Sequence, residues 1–306
     1  MTSTAFATEL ARHGPANAAN QPTLEESFAY CRRLARDHYE NFVVVSRLLP
    51  RPLRQHFANV YAYCRWADDL ADETESAQQS LDLLDWWESQ LDDCYAGRAA
   101  HPVFVALRET IEEFSIPSEP LRDLLSAFRQ DQHVARYPRF ADLLDYCRRS
   151  ANPVGRVVLF LGRVHDVERA SLSDCICTGL QLANFWQDVA ADRRRGRLYI
   201  PLEDFRQFGV DEADLTAARP SASLKRLLEF EVDRAEGWLR AGLPLVQRLP
   251  GWLSGDIWLV TQGGLKILQK IRAVDFDVWS RRPVVSRWDQ ATLLGGYLLR
   301  RMAARS

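Results

Sequence analysis

Asn184-Phe185-Trp186-Gln187-Asp188-Val189-Ala190-Ala191-Asp192 carries the strongest structural signal in this chain. Asn184, Asp188 and Asp192 are four residues apart, so in an α-helix they lie nearly above one another on one face. The residues between them are mostly apolar, which favours a largely buried helix. Two carboxylates on such a helix repel each other and lose hydration unless a positive charge compensates them. The stretch therefore predicts either a polar seam paired with arginines elsewhere or a cation site, and Mg²⁺ suits one or two carboxylates plus a phosphate.

A second acidic pair with the same spacing occurs more than 100 residues earlier in the chain. Asp68 and Asp72 are again four residues apart, and they follow the apolar, helix-compatible run 57–67. One such pair is a weak signal, because acidic residues at this spacing are common on solvated helices. Two pairs on separate apolar helices predict two acidic walls that face each other across one cavity. Metal ions bound to both walls would hold a diphosphate group.

The bulk composition excludes several classes of protein. The 306 residues are 47% hydrophobic and 26% charged, as expected for a globular protein with a sizeable core. A net charge of −2 argues against a nucleic-acid-binding protein with a basic surface. The six cysteines lack metal-ligand spacing, which predicts free thiols in a reducing compartment. Because no run of 18 apolar residues and no secretory signal occurs, we expect a cytoplasmic protein.

The remaining pattern predicts an all-α chain with a single domain. Residues 1–22 predict a flexible tail and residues 23–306 a helical domain, because the two-residue alternation of strands is missing throughout. Thr23 is expected to cap a helix that runs to about Leu49, and the next helix starts near Pro52 and carries the first acidic pair. Further helices are predicted over 76–95, 101–114, 118–132, 140–162, 171–192, 202–208, 222–249, 252–274 and 287–304.

Five segments of the chain resemble, in order and spacing, the squalene and phytoene synthases. They are His38-Tyr39-Glu40-Asn41-Phe42, residues 61–72, residues 146–155, residues 181–201 with a Gly-Arg-x-Tyr-x-Pro tail, and the arginine-containing segment 271–286. The resemblance covers about residues 25–300. It implies an all-α isoprenoid synthase fold around a central apolar cavity.

The resemblance also implies roles for the residues at matching positions. The expected Mg²⁺ ligands are Asp68, Asp72, Asn184, Asp188 and Asp192. The expected catalytic residues are Tyr61 and Tyr146 together with the four aspartates Asp68, Asp72, Asp188 and Asp192. The expected substrate-binding residues are His38, Asn41, Phe42, Arg65, Gln181, Gln187 and Arg197.

The role of Arg65 stays open at the level of spacing. Arg65 lies one helical turn before Asp68, so its guanidinium is placed equally well to clamp diphosphate oxygens or to form an ion pair with Asp68 or Asp69. The resemblance favours the clamp. Asp69 lies about 100° around the helix from Asp68 and is therefore a weaker candidate ligand.

Within the family, the chain resembles most the hydroxysqualene synthase branch of bacterial squalene and hopanoid biosynthesis. The residues that carry this likeness are 40–42, 150–156 and 184–188. The likeness implies a Mg²⁺-dependent enzyme that removes diphosphate from presqualene diphosphate, rearranges the carbocation and captures water, with no nicotinamide cofactor. Members that condense two prenyl diphosphates usually have serine at the position of Asn41 and arginine at that of Gln187. Losing the arginine weakens the hold on one diphosphate, which an enzyme acting on a single diphosphate tolerates.

Two alternatives remain at this level. A condensing enzyme would make presqualene diphosphate, dehydrosqualene or phytoene from prenyl diphosphates, and Asn41 and Gln187 speak against it. A non-catalytic assembly factor with the same fold would be expected to lose acidic ligands, whereas both acidic pairs are intact. In either enzymatic case the prenyl compounds are poorly soluble in water, so we expect contact with the surface of the inner membrane and with neighbouring pathway enzymes, but not with nucleic acid.

Overall fold

Thirteen α-helices make up most of the part of the chain that the computed structural model describes, which is residues 3–17, 22–37, 49–216 and 220–303. Their bounds are α1 Ser3–His13, α2 Leu24–Asp37, α3 Arg54–Asp72, α4 Ala77–Tyr95, α5 Pro102–Phe114, α6 Glu119–Gln130, α7 Phe140–Ser150, α8 Asn152–Leu161, α9 Val167–Arg194, α10 Leu202–Phe208, α11 Ala222–Gly242, α12 Gly251–Ala273 and α13 Arg287–Ala303. Short 3-10 turns occupy Arg51–Leu53, Glu212–Thr216 and Leu243–Arg248. No strand occurs within these described ranges, which confirms the all-α prediction.

The chain divides into two compact units. The described residues of Met1–His133 and Val157–Val164 form the first unit, and those of Val134–Arg156 and His165–Ser306 form the second. Helix α3, with the first acidic pair, belongs to the first unit, and α9, with the second pair, belongs to the second. The single cavity expected between the pairs therefore stays a prediction.

The first unit is organised around α3. The indole rings of Trp66 on α3 and Trp87 on α4 stack at 5.2 Å, and both residues are fully buried. Buried Asn59 ties α3 to α5, because its amide donates to the Ala106 carbonyl at 2.9 Å and to the Thr110 hydroxyl at 3.0 Å. A buried amide without partners would cost about 1–3 kcal/mol, so these bonds fix the position of α3 and hence of its acidic residues.

The second unit is built on the close packing of α9 against α11 and α12. A Cβ atom on Gly179 of α9 would lie 2.7 Å from Leu239 of α11, and one on Gly264 of α12 would lie 2.7 Å from Leu180 of α9. Gly242 at the end of α11 meets α9 in the same way, at Leu172 and Ile176. Glycine at these crossings lets the helix backbones approach more closely than any side chain would permit.

Several helix boundaries follow from local chemistry, as predicted. Thr23 caps α2 through a reciprocal arrangement, in which the Glu26 amide donates to the Thr23 hydroxyl and the Thr23 amide donates to the Glu26 carboxylate at 2.9 Å. Ser76 caps α4 in the same manner, since its side chain accepts from the Gln79 amide. The left-handed backbone of Gly97 (φ 76°) follows the end of α4.

Three predictions of local structure were wrong. The predicted tail 1–22 contains α1, whose Phe6 is buried against Trp66, because an apolar side chain on one face of a short helix suffices for docking. The predicted helix 140–162 is two helices that break at Ala151, ahead of Pro153. The predicted helix 222–249 changes to a 3-10 turn at Leu243, ahead of a proline at position 244. None of the described helices is both long enough and apolar enough to cross a bilayer.

Candidate active site

The acidic pair on α3 is already joined to an arginine. The Arg65 guanidinium donates to both carboxylate oxygens of Asp69, one turn further along the helix, and its third nitrogen lies 3.2 Å from Asp68. Asp69 is almost completely buried, whereas Asp72 is exposed. Of the two roles that the spacing left open for Arg65, the structure therefore shows the ion pair. Asp69 serves as its buried partner, which agrees with its weak standing as a ligand.

The negative charge of Asp68 is only partly compensated by Arg65. Burial raises the pKa of Asp68 to about 6, an effect that Arg65 opposes and the neighbouring Asp72 and Asp69 reinforce. Nearby Tyr61 is half-buried on the same helix, and burial also raises the pKa of its phenol. A carboxyl group with a raised pKa beside a second carboxylate is a group that a bound cation would stabilise.

On α9 the acidic residues meet an arginine from a distant part of the chain. Both Asp188 oxygens accept from Arg282, one of them from Nη2 at 2.9 Å. Asp192, one turn further on, has its pKa raised to about 6, by burial first and by Asp188 second, while Arg195, Arg197 and Arg282 oppose the shift. On this acidic face, Arg282 thus compensates the negative charge of Asp188 more fully than that of Asp192.

Gln187 holds the segment that supplies this arginine. Its buried side-chain amide donates to the Pro283 carbonyl, the residue directly after Arg282. The expected contact of Gln187 with substrate stays a prediction, because in this structure its amide nitrogen is used within the protein. Two successive residues of α9 therefore bind two successive residues of the segment between α12 and α13.

Phe185 and Tyr199 line a small hollow beside the acidic end of α9, and Tyr146 lies close to both rings. Tyr199 stacks on Phe185 with ring centroids 3.8 Å apart, and Tyr146 lies 6.0 Å from Tyr199 and 6.3 Å from Phe185. Asp192 and Arg197 also line this hollow, and the Arg197 amide donates to the Asp192 carbonyl at 2.9 Å. The second unit thus places a carboxylate, an arginine and π-faces around one small space, and a π-face stabilises a cation by about 0.5–2 kcal/mol.

The other predicted site residues fall into two groups. Gln181 is partly buried and Asn184 is exposed on the face of α9 that carries Asp188. His38, Asn41 and Phe42 lie outside the described residues, so their roles stay predictions. Arg282 and Tyr199 were not among the predicted site residues, although both lie within segments that resemble the family. Their partners in the site, Asp188 and Phe185, lie well beyond helical spacing in the sequence.

The donor set on each acidic helix fits Mg²⁺ in kind. Asp68 with Asp72, and Asp188 with Asp192 and Asn184, supply hard oxygen ligands. Burial raises the pKa values of two of these carboxyls, Asp68 and Asp192, to about 6. Within the described residues no group of three or more His, Cys, Asp or Glu side chains is arranged to hold a metal. A magnesium ion here would therefore rely on one or two carboxylates together with water and phosphate oxygens.

Comparison with known proteins identifies the family. The family model for squalene/phytoene synthase matches residues 35–289. The chain belongs to the squalene/phytoene synthase family. Relatives in this family include the phytoene synthase of Arthrospira platensis, 29% identical over 89% of this chain and 92% of its own, and the 15-cis-phytoene synthase of Synechocystis sp., 30% identical over 86% of this chain and 82% of its own.

Solved structures of the squalene/phytoene synthase family share the fold. The crystal structure of squalene synthase HpnC from Alicyclobacillus acidocaldarius is similar at 43% identity, with a TM-score of 0.80 over 85% of this chain and 99% of that chain. A dehydrosqualene synthase in complex with a ligand has a TM-score of 0.83 at 24% identity, covering 92% of this chain and 98% of that chain, and shows the fold alone. The isoprenoid synthase fold predicted from the sequence is confirmed.

Proposed function

We propose that this family member is a hydroxysqualene synthase, which converts presqualene diphosphate and water to hydroxysqualene and diphosphate. The observation that carries the proposal is the neutral, buried Gln187, whose amide is engaged by the Pro283 carbonyl. Condensing relatives usually have an arginine there, and a buried guanidinium would add the charge that a second diphosphate needs. The 43% identity with squalene synthase HpnC supports the assignment to the squalene branch.

The chain's own residues would perform three tasks in this reaction. Asp68 and Asp72 on α3, and Asp188 and Asp192 on α9, would hold Mg²⁺, which when bound stabilises the departing diphosphate. Arg197, at the rim of the aromatic hollow, is placed to take phosphate oxygens by charge-assisted hydrogen bonds. Tyr146, Phe185 and Tyr199 would shield the carbocation from early capture by bulk water.

Product identification by mass spectrometry tests the proposal. Purified protein with Mg²⁺ and presqualene diphosphate should release a C30 alcohol and diphosphate in the absence of any nicotinamide cofactor. A product of squalene that forms only with reduced nicotinamide would reject the proposal. The same assay without Mg²⁺, and with a chelator, should show no release of diphosphate.

A condensing activity is the second candidate, and the named relatives favour it. The sequence relatives at 29% and 30% identity are phytoene synthases. Incubation with farnesyl diphosphate or geranylgeranyl diphosphate as the only substrate separates the two candidates. Formation of presqualene diphosphate, dehydrosqualene or phytoene would establish condensation, whereas the hydroxysqualene synthase should leave both prenyl diphosphates unchanged.

A further inference from the structure

The segment that joins α12 to α13, together with the first turn of α13, exposes two apolar side chains. Trp288, in the first turn of α13, is 82% exposed, and Val284 is 50% exposed. Tryptophan buries about 150–250 Å² when it is covered, so leaving it in water forgoes much apolar stabilisation. Arg281 and Arg287 are exposed next to these two residues. We call these four residues, Arg281, Val284, Arg287 and Trp288, the Trp288 patch.

The Trp288 patch is held in place by well-formed contacts and is not a loose end. Ser286 caps α13 by accepting from the Asp289 amide at 3.2 Å, and its own amide donates to the Asp289 carboxylate at 2.7 Å. Lys270 on α12 pairs with the same carboxylate at 2.7 Å. The exposure of Trp288 is thus built into the packing of α12 and α13.

The Trp288 patch also lies next to the acidic face of α9. Val284 directly follows Pro283, whose carbonyl binds Gln187, and Arg282 binds Asp188. A surface bound by Val284 would therefore lie near Gln187 and Asp188 on α9. This position suits a surface from which a substrate with long hydrocarbon chains is delivered.

The charge of the patch indicates which surface it fits. Neither Arg281 nor Arg287 forms an ion pair within the part of the chain that the structure describes. The carboxylate nearest in sequence to Arg287, Asp289, pairs with Lys270, and the one nearest to Arg281, Asp277, is bound by Ser280. Two apolar side chains are far too few for a stable protein interface, which needs about 800 Å² from each partner. An anionic lipid surface accepts a smaller contact, because a tryptophan that enters the interface and two arginines worth about 1 kcal/mol each near the headgroups together give a weak, reversible peripheral contact.

We propose that the Trp288 patch docks the protein on an anionic lipid bilayer and so presents the acidic end of α9 to the membrane. Trp288 and Val284 enter the headgroup region, while Arg281 and Arg287 bind lipid phosphates. The proposal rests on the proposed function for its water-insoluble substrate class, but the docking itself requires neither substrate nor metal.

Flotation with lipid vesicles tests the docking. Full-length protein is mixed with phosphatidylcholine vesicles that contain or lack phosphatidylglycerol, with no substrate or Mg²⁺ present. We expect binding to the anionic vesicles, weakened about tenfold by Trp288→Ala through lost apolar contact and about fivefold by Arg287→Gln through lost attraction to the headgroups. Trp288→Phe should recover most of the loss.

Matched variants remove the same chemistry elsewhere in the second unit. Val284→Ser in the patch should also weaken binding, and Val167→Ser is its control, because Val167 is 88% exposed at the start of α9. The control for Arg287→Gln is Arg226→Gln, at an exposed arginine on α11. Both controls should bind vesicles as the wild type does. Circular dichroism melting curves establish that the patch variants are folded.

Three outcomes would overturn the docking. The first is wild-type protein that fails to bind anionic vesicles, and the second is Trp288→Ala protein that binds them normally. The third is a wild-type protein that is a dimer by light scattering and becomes a monomer in Trp288→Ala, because a second copy would then cover the patch. Turnover in detergent micelles keeps the proposed function separate, because Trp288→Ala should convert micellar presqualene diphosphate at the wild-type rate. Vesicle binding through Trp288 by a protein that converts only farnesyl diphosphate would support the docking and reject the proposed function.

Discussion

Without a bound ligand, Asp188 is paired with the guanidinium of Arg282, whereas the charge of Asp192, one turn away, is compensated only in part. The pair Arg282–Asp188 therefore balances one carboxylate, and burial leaves the pKa of the other raised to about 6. A divalent cation would compensate both at once. The importance of a residue such as Asp188 thus lies in its negative charge, since its shape is nearly reproduced by asparagine.

Asp188→Asn should abolish turnover and preserve the fold. The change removes the charge that would hold Mg²⁺, so we expect the rate of diphosphate release to fall about a hundredfold or more. Asp233→Asn is the matched control, because Asp233 also forms an ion pair with an arginine, Arg272, which keeps Glu236 as a second partner. The rates are measured by phosphate-release assay after pyrophosphatase treatment. Normal complementation of the host by Asp188→Asn protein would favour the assembly-factor alternative.

The sequence allowed the carboxylates of the site to be predicted, but not their partners. Asp188 and Asp192 stand out because their spacing places them on one helical face, and a helical period is a local property. Arg282 lies 94 residues from Asp188, so no local pattern joins the two. The ion pair of Arg65 with Asp69 was one of two readings that local spacing permitted, and packing decided between them.

At the scale of elements, the segment after α12 acts as a cover on the acidic face of α9. The carbonyl of Pro283 and the guanidinium of Arg282 are both bound by α9. Arg282 already binds both oxygens of Asp188. A cation that bound the same oxygens would therefore compete with Arg282 for this carboxylate. If Asp188 binds Mg²⁺ as proposed, Arg282 would have to give up at least part of its contact with this carboxylate.

Arg282→Gln should therefore strengthen the binding of a divalent cation in the absence of substrate. Removing the competing guanidinium is expected to lower the Kd for Mn²⁺ about three- to tenfold, in line with the modest energy of a partly exposed ion pair. Electron paramagnetic resonance of free Mn²⁺ measures this directly. Arg272→Gln breaks a comparable ion pair away from α9 and should leave the Kd unchanged. An unchanged or raised Kd in Arg282→Gln would show that the two do not compete.

The sequence predicts where helices form, but it does not predict which helices contact each other. The cap at Thr23 and the absence of strand periodicity helped to identify the helices, because these signals are local. The burial of Phe6 in α1, and the close approach of α9 to α11 at Gly179, depend on which helices meet. A glycine inside a helical pattern does not by itself reveal whether it is crowded or open.

Gly179 and Gly237 provide a matched test of this close approach. A Cβ atom on Gly179 would meet the Leu239 backbone nitrogen at 2.8 Å, so Gly179→Ala should lower the free energy of unfolding by about 1–3 kcal/mol through overpacking. Nothing lies within 4 Å of a Cβ atom on Gly237, also within a helix, so Gly237→Ala should raise stability by about 0.5–1 kcal/mol. Urea denaturation followed by circular dichroism measures both. Equal effects of the two changes would contradict the crowding.

For the whole molecule, all-α architecture follows from the sequence, and the division into two compact units does not. Helical periodicity is repeated along the chain, but one of the boundaries between the units falls within α8, which is one continuous helix. The sequence also does not predict which acidic residues are buried or whether a buried acid has a partner. Glu231 is buried yet bound by Arg234, whereas both oxygens of buried Asp256 lack a hydrogen-bond partner within the described residues.

Asp256 makes the stability of the whole protein depend on pH. Burial raises its pKa from the ordinary value of 3.8 to about 7. Between these two values the folded protein binds more protons than the unfolded chain, so the contribution of Asp256 to stability falls as pH rises from about 4 to about 7 and stays lost above that. At pH 8 the folded protein therefore carries a buried, uncompensated charge.

Asp256→Asn removes this charge at nearly constant volume. We expect the variant to exceed the wild type in free energy of unfolding by about 1–3 kcal/mol at pH 8, because the neutral amide is cheaper to bury than the carboxylate. The difference should shrink steadily as the pH is lowered toward 4, where Asp256 is protonated in the folded protein and about half protonated in the unfolded chain. Urea denaturation over this pH range measures it, with exposed Asp233→Asn as the control. A gain of equal size at pH 8 and pH 4 would show that burial of charge at Asp256 is not its cause.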